Sequence, residues 1–394
     1  MPNVEVIAYN AAALLCSLFL LERGADAFID HTALLARRTN IPQSAIALLT
    51  AGAEWEELVV VVVSIARHRP GLALGNVVGS TIANTLGAFS LGLIFYRPAD
   101  DAGTNRLFER SSVIYSVALL LIATVAAAVL AWGEHIHWRA VGFVFIAVFG
   151  VYITSISYLI AKGFAKAPEE MSDSDSDSDS ELGADSDSDE ERPLQSGTIG
   201  GYGSIDNPST RSTGPLLDHQ RPPHPGLARR SRFRPPASQA RILIRHLAFL
   251  SGGFVAVVIS GYVLSCATSN LVDETGISDV LAGVVILSIA TTIPEKFVAL
   301  MSGYKGHADI LLANTVGSNI FLLTLCLGIT WAAASGDGGP ANVSTSEIVV
   351  MLGSAVLMTL TVLLQGRFAR FLGWAMLVLY IAFLVLEFTY IHKL

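Results

Sequence analysis

Charge is scarce in this chain of 394 residues: Asp, Glu, Lys and Arg make up 15% of it, against 52% hydrophobic residues. A soluble domain carries nearer a quarter charged residues, so an ordinary soluble fold is excluded. Cysteine is scarcer still. Cys16, Cys266 and Cys326 all lie in apolar runs, which excludes a disulfide framework or a thiolate cluster and leaves them as small buried hydrophobes. A buried Asp pair, a Ser/His couple and a zinc motif are all missing, so hydrolytic chemistry has no carrier and the chain is not read as an enzyme. Met1 to Glu5 holds no basic leader, and the first apolar run is expected to stay as a helix.

What is abundant is long apolar runs of roughly twenty residues, the length that crosses a bilayer as helix. Ten are predicted, at 4–21, 41–66, 72–96, 112–133, 140–161, 246–266, 279–303, 309–334, 347–366 and 369–391. The fold class is therefore an all-α polytopic membrane protein. Five runs precede a polar segment and five follow it. Five is odd, so the second half must enter the membrane in the opposite sense, giving two inverted five-helix repeats, residues 1–166 and 241–394. Basic residues fix the orientation. Arg23, Arg37, Arg38, Arg97, Arg106, Arg110, Lys162, Lys166, Arg367 and Arg370 follow alternate spans, on the cytosolic side. The other loops hold few, namely Arg67, Arg69, Arg139 and Lys393. The sequon Asn342-Val343-Ser344 falls in a non-cytosolic loop, so Asn342 is a candidate glycosylation site in a eukaryotic endomembrane or plasma-membrane protein.

Residues 167–240 are low complexity. Ser and Asp alternate over Ser172–Asp179 and again over Asp185–Glu191. A Gly, Ser and Pro stretch follows, then Arg229, Arg230, Arg232, Arg234, Arg241 and Arg245. Such a segment cannot bury a core and is expected to be a disordered cytosolic loop. The plain reading is a solvated linker. The sharper one is a regulatory loop phosphorylated by an acid-directed kinase. Nothing in the chain predicts a nucleic-acid partner, and its net charge of −8 largely reflects this acidic run.

Two glutamates stand inside the second and seventh runs, Glu57 and Glu295, 238 positions apart. A carboxylate at membrane depth costs a few kcal/mol even on the lenient insertion scale. Each is followed at 19 residues by an Asn that opens the same pattern: Asn76-Val77-Val78-Gly79-Ser80-Thr81 and Asn314-Thr315-Val316-Gly317-Ser318-Asn319. Asn76 and Ser80 are four apart and share a helix face, as do Asn314 and Ser318. Gly75, Gly79 and Gly317 allow close helix approach. Pro294 breaks a helix one residue before Glu295, and interrupted spans at matching positions point to a midplane site. The sum is an all-oxygen cage with two negative charges, suited to a hard cation such as Ca2+. The histidine and thiolate ligands of softer metals are missing from these stretches.

These residues resemble a known family. Ala290-Thr291-Thr292-Ile293-Pro294-Glu295, then Lys305 to Asp309 and Asn314 to Ile320, look like the second α-repeat of the cation/Ca2+ exchanger superfamily. Gly52 to Leu58 and Gly75 to Asn84 look like the first, with Gly24-Ala25-Asp26 and Asn40-Ile41-Pro42 as its approach. The resemblance implies ten helices in two inverted halves and exchange of Ca2+ for Na+, H+ or K+ by alternating access. It implies that Glu57 and Glu295 are the central Ca2+ ligands, that Thr291 adds a backbone carbonyl and Thr292 a hydroxyl, and that Asn76, Ser80, Thr81, Asn314, Ser318 and Asn319 line flanking monovalent-cation sites. No resident cofactor is expected; the partners are the bilayer, Ca2+ and a monovalent counter-ion as cargo.

The first repeat departs from the pattern. Where the family reads Thr-Ser-x-Pro-Glu, this chain has Ala53-Glu54-Trp55-Glu56-Glu57, and Lys296 follows Glu295. Glu54 and Glu57, three apart, share a helix face. A third carboxylate leaves surplus charge with Ca2+ bound, so either Glu54 holds a proton, tuning the counter-ion toward H+, or Lys296 pairs with it. The plain readings are an acidic vestibule for Glu54 and Glu56, and snorkelling to lipid phosphate for Lys296. Two alternatives stand beside exchange: the same fold carrying Mn2+ or Mg2+, and a non-transporting receptor or scaffold that the altered first repeat permits.

Overall fold

The computed structural model describes residues 3–38, 54–97, 107–108, 110–132, 137–161, 236–334, 343–364 and 368–391. Hydrocarbon offers no partner for a backbone N–H or C=O, so apolar runs of this length satisfy themselves as helices. Eleven helices are described here: α1 (Val4–Arg38), α2 (Trp55–Ala66), α3 (Pro70–Ile94), α4 (Arg110–Ala131), α5 (Trp138–Ala161) and α6 (Pro236–Thr275). Then come α7 (Asp279–Thr291), α8 (Ile293–Tyr304) and α9 (Ala308–Ala332), α10 (Thr345–Leu363) and α11 (Ala369–Leu386). There is no strand among the described residues. Eight of these helices are long and apolar enough to cross a membrane, and α7 with α8, bent by 48°, makes a ninth. Of the second expected span, 41–66, only the part from residue 54 is described.

Burial runs opposite to that of a soluble protein. Leu121, Val151 and Val378 are 63%, 67% and 61% exposed, while Asn76, Ser80 and Thr292 are fully buried. Many apolar side chains face outward around a buried apolar core, while these polar ones are turned inward, as the bilayer demands of a multi-pass membrane protein.

Two expectations are corrected. The first run does not stop at residue 21. The helix continues through Gly24 because that glycine is a packing surface rather than a break: a Cβ there would meet Ala256 Cβ and Val257 N of α6 at 3.0 Å. Arg23 therefore lies on a helix and not in a loop. Likewise α6 extends well beyond 246–266 at both ends.

Helices α1 and α6 run antiparallel. Asn270 Nδ2 donates to Asn10 Oδ1 at 3.0 Å, Gly24 faces Gly253, and His31 Nδ1 lies 3.2 Å from His246 Nδ1. Numbers rise along one helix as they fall along the other, as inverted halves require. The inversion recurs further out. A Cβ on Gly142 of α5 would come to 2.6 Å of Gly328 O and 2.8 Å of Ala332 Cα on α9. A Cβ on Gly373 of α11 would come to 2.9 Å of Ser90 O and 3.0 Å of Ile94 Cγ1 on α3. Ser90 and Gly328, and Ile94 and Ala332, are again 238 positions apart. One glycine contact is thus built twice, exchanged between halves.

Three helices carry internal π segments: Ala83–Phe89 in α3, Ala282–Leu287 in α7 and Leu322–Cys326 in α9. The first and last follow the two Asn-x-x-x-Ser stretches at matching places. Such bulges shift helical phase and collect at functional sites.

Candidate cation site

Each half places a site carboxylate in the first turn of a helix that starts inside the membrane region. In the first half Glu54 is the N-cap of α2, with φ −77° and ψ 77°, and Glu57 lies in the opening turn. Trp55 meets Phe28 of α1 edge-on at 5.6 Å, which fixes where α2 begins. In the second half α7 ends at Thr291, the chain bends at Thr292, and α8 begins at Ile293 with Glu295 in its first turn. Pro294 has no N–H for the carbonyl four residues back, so the helix cannot run straight through. The positive end of a helix dipole favours a carboxylate at both places.

The two half-sites meet. Glu54, Glu57 and Glu295 each bring one carboxylate oxygen to within 4.8 Å of the others. Glu57 is fully buried, Glu54 is 6% exposed and Glu295 is half-buried. Both oxygens of Glu54, both of Glu57 and Oε2 of Glu295 lack any hydrogen-bond partner. Buried polar atoms without partners are rare and costly, and buried carboxylates are paired or bind a cation. Glu56 is not one of the three, and it stands within electrostatic reach of Glu54 and of Asp26 and Glu22 of α1. The cluster therefore includes Glu54 and not Glu56.

Neutral oxygens gather on α3 and α9. Asn76 is fully buried with neither amide atom paired, and Ser80 Oγ is unpaired as well. Glycines let α3 cross α7 closely: a Cβ on Gly283 would stand 2.6 Å from Leu72 O and from Asn76 N, and one on Gly79 would stand 2.6 Å from Val284 Cα. Thr81 donates back to Val77 O at 2.8 Å, so its hydroxyl serves its own helix. From the second half, Ser318 lies beside Glu54. Asn319 Nδ2 donates to Thr85 Oγ1 at 2.8 Å, joining the two π-bulged helices, and its Oδ1 is left unpaired. Asn314 is half-buried.

The sequence reading missed Asn84. It sits in the first π segment, 1% exposed, beside Glu54, with both amide atoms unpaired. Its spacing from Asn76 is eight, so a periodicity search extended by one turn would have found it.

Thr291 and Thr292 are both buried. The Thr291 hydroxyl donates to Leu287 O at 3.0 Å, and that of Thr292 donates to Ser288 O at 2.5 Å. Lys296 does not snorkel outward. Its ammonium donates to Thr292 Oγ1 and, at 3.2 Å, to Thr292 O. The reason is a notch at Gly87 on α3, where a Cβ would stand 3.4 Å from Lys296 Cε and 3.3 Å from the Tyr380 ring. Asn342 and nearly all of loop 167–240 lie outside the described residues.

A family model described as sodium/calcium exchanger protein matches residues 9–158 and 245–389, most of the chain. Sodium/potassium/calcium exchanger 4 of Mus musculus is 32% identical over 136 residues, a stretch covering 32% of this chain and 20% of that protein. The putative antiporter CaxA of Alkalimonas amylolytica is 29% identical over 139 residues, covering 35% of this chain and 44% of that protein. The matched stretch thus spans about a fifth of the exchanger's length and under half of the antiporter's. Among solved structures, the sodium-calcium exchanger NCX_Mj superposes with a TM-score of 0.53 at 17% identity, over 96% of this chain and 99% of that one. At that identity the likeness concerns the fold alone.

Proposed function

The chain belongs to the sodium/calcium exchanger protein family, and from that premise we propose that it is a secondary-active antiporter exchanging Ca2+ for a monovalent cation, Na+, H+ or K+. The observation that carries this reading is the meeting of Glu57 and Glu295 with Glu54, their oxygens within 4.8 Å and largely without partners. Glu57 and Glu295 are the central Ca2+ ligands. Thr291 closes the cage from the α7–α8 bend, with Thr292 beside it in contact with Lys296, and Asn76, Ser80, Asn84, Asn314, Ser318 and Asn319 supply neutral oxygens around it. Thr81 acts through its helix rather than on the ion.

Charge drives the coupling. Empty, the cluster holds several carboxylates in a low-dielectric interior, a state too costly to occlude. Filled by Ca2+ or by monovalent cations, it is neutral enough to pass through. The two inverted halves then rearrange around the filled site, opening it to one side and the other in turn. In this reading residues 167–240 lie on the cytosolic side, as a solvated linker or as a regulatory loop open to an acid-directed kinase, and Asn342 lies on the opposite side.

The test is radiocalcium uptake into proteoliposomes under imposed Na+, K+ or H+ gradients. A gradient of one of them drives uptake by the native chain and none by Glu295→Gln. Uptake of Mn2+ or Mg2+ with no Ca2+ flux assigns a different cargo. An absence of flux under all three gradients overturns the antiporter reading.

A further inference from the structure

The 238-residue offset sets Glu54 against Thr292 and Leu58 against Lys296. Where the second half has a hydroxyl N-cap, the first has a carboxylate. Where the first has an apolar side chain, the second has an ammonium. Each change alone leaves an uncompensated charge inside the bundle, which costs several kcal/mol. Together they cancel.

The geometry shows where the positive charge goes. Lys296 reaches inward to Thr292, and both Thr292 oxygens that a cation could use, the hydroxyl and the carbonyl, accept from the ammonium. The carbonyl also accepts from Lys296 N at 3.3 Å. The lysine stem lies in the Gly87 notch beside Tyr380, and the ammonium is within the electrostatic reach of Glu295 and Glu57. Across the site, Glu54 has no hydrogen-bonded partner.

We propose that the Lys296 ammonium is a tethered cation: it fills the position at Thr292 that a free monovalent ion would otherwise take, and it offsets the extra carboxylate of Glu54. This rests on the exchanger reading above and adds a residue that sets ion stoichiometry. The four groups Glu54, Glu57, Glu295 and Lys296 together carry the net charge of two carboxylates, the charge one Ca2+ neutralises. Thr292 is then a support for Lys296 rather than a ligand of the transported ion.

The test compares the native chain, Lys296→Leu and the double variant Glu54→Thr/Lys296→Leu in proteoliposomes. Radiocalcium exchange is measured against the concentration of the driving monovalent ion. In Lys296→Leu the Hill coefficient rises by about one, because a free ion must replace the lost charge. In the double variant it returns to the native value. In parallel, Na+ and K+ are titrated against the melting temperature of each purified protein, a readout that needs no transport. Lys296→Leu gains one saturable ion-dependent stabilisation beyond any that the native chain shows. An unchanged coefficient together with unchanged ion-dependent melting overturns the tethered-cation proposal while leaving the exchanger reading intact. A native chain without radiocalcium exchange overturns the exchanger reading, and the melting series still decides the role of Lys296.

Discussion

The two half-sites solve one problem with different residues. Both begin a helix at membrane depth, and both put a glutamate in its first turn. The second does so with a threonine at the bend, a proline after it and a lysine folded back. The first does so with acids opposite the threonine and the proline, Glu54 and Glu56, and an apolar Leu58 opposite the lysine. Only Glu54 of those extra acids joins the cluster. The difference teaches that the duplicated frame preserves geometry, while the residues that supply charge differ between the halves.

The comparison breaks most severely at the shared glutamates. Loss of a directly binding carboxylate should exceed the 10- to 100-fold effect typical of supporting groups, so Glu57→Gln and Glu295→Gln should each lower exchange by at least about 100-fold. If one tolerates the change, the halves are not equivalent partners. Next in size is the close crossing of α3 and α7. Gly283→Val drives a side chain into Leu72 O and Asn76 N, and over-packing of this kind costs about 1–3 kcal/mol or more. A lower melting temperature in detergent, with weakened exchange, is the expected readout.

A smaller effect tests the link between the bulged helices. Asn319→Leu removes the bond to Thr85, worth about 0.5–1.5 kcal/mol net, so exchange should fall roughly three- to tenfold with the protein still folded. The smallest sharpens the asymmetry itself. Glu56 lies outside the three-carboxylate cluster and stands where Pro294 does in the other half, and proline is tolerated in a first helical turn. Glu56→Pro should keep exchange within about threefold; a collapse would place Glu56 in the site after all.

Much of this was legible in the chain because the membrane makes polar residues expensive. Glu57, Glu295 and the paired Asn and Ser positions stand out against apolar runs, and the 19-residue spacing matches them half to half. The i, i+3 spacing put Glu54 beside Glu57 but could not say whether that face met the site, since the answer depends on where α2 starts. That start is set by Trp55 packing on Phe28 of another helix. The π segments hold no proline, and the glycines in two of them, Gly87 and Gly283, are no different from the many others in the apolar runs, so nothing local announces them, and Asn84 was missed with them. The direction of Lys296 was equally hidden, because the notch that receives it is made by Gly87, far away in sequence.

The central claim is that carboxylates from both halves form one cation site. Equilibrium radiocalcium binding to the purified chain in nanodiscs tests it most directly. The account predicts one high-affinity Ca2+ per chain, lost in Glu57→Gln, in Glu295→Gln and in the double variant alike. A single variant that still binds Ca2+ with native affinity would contradict it.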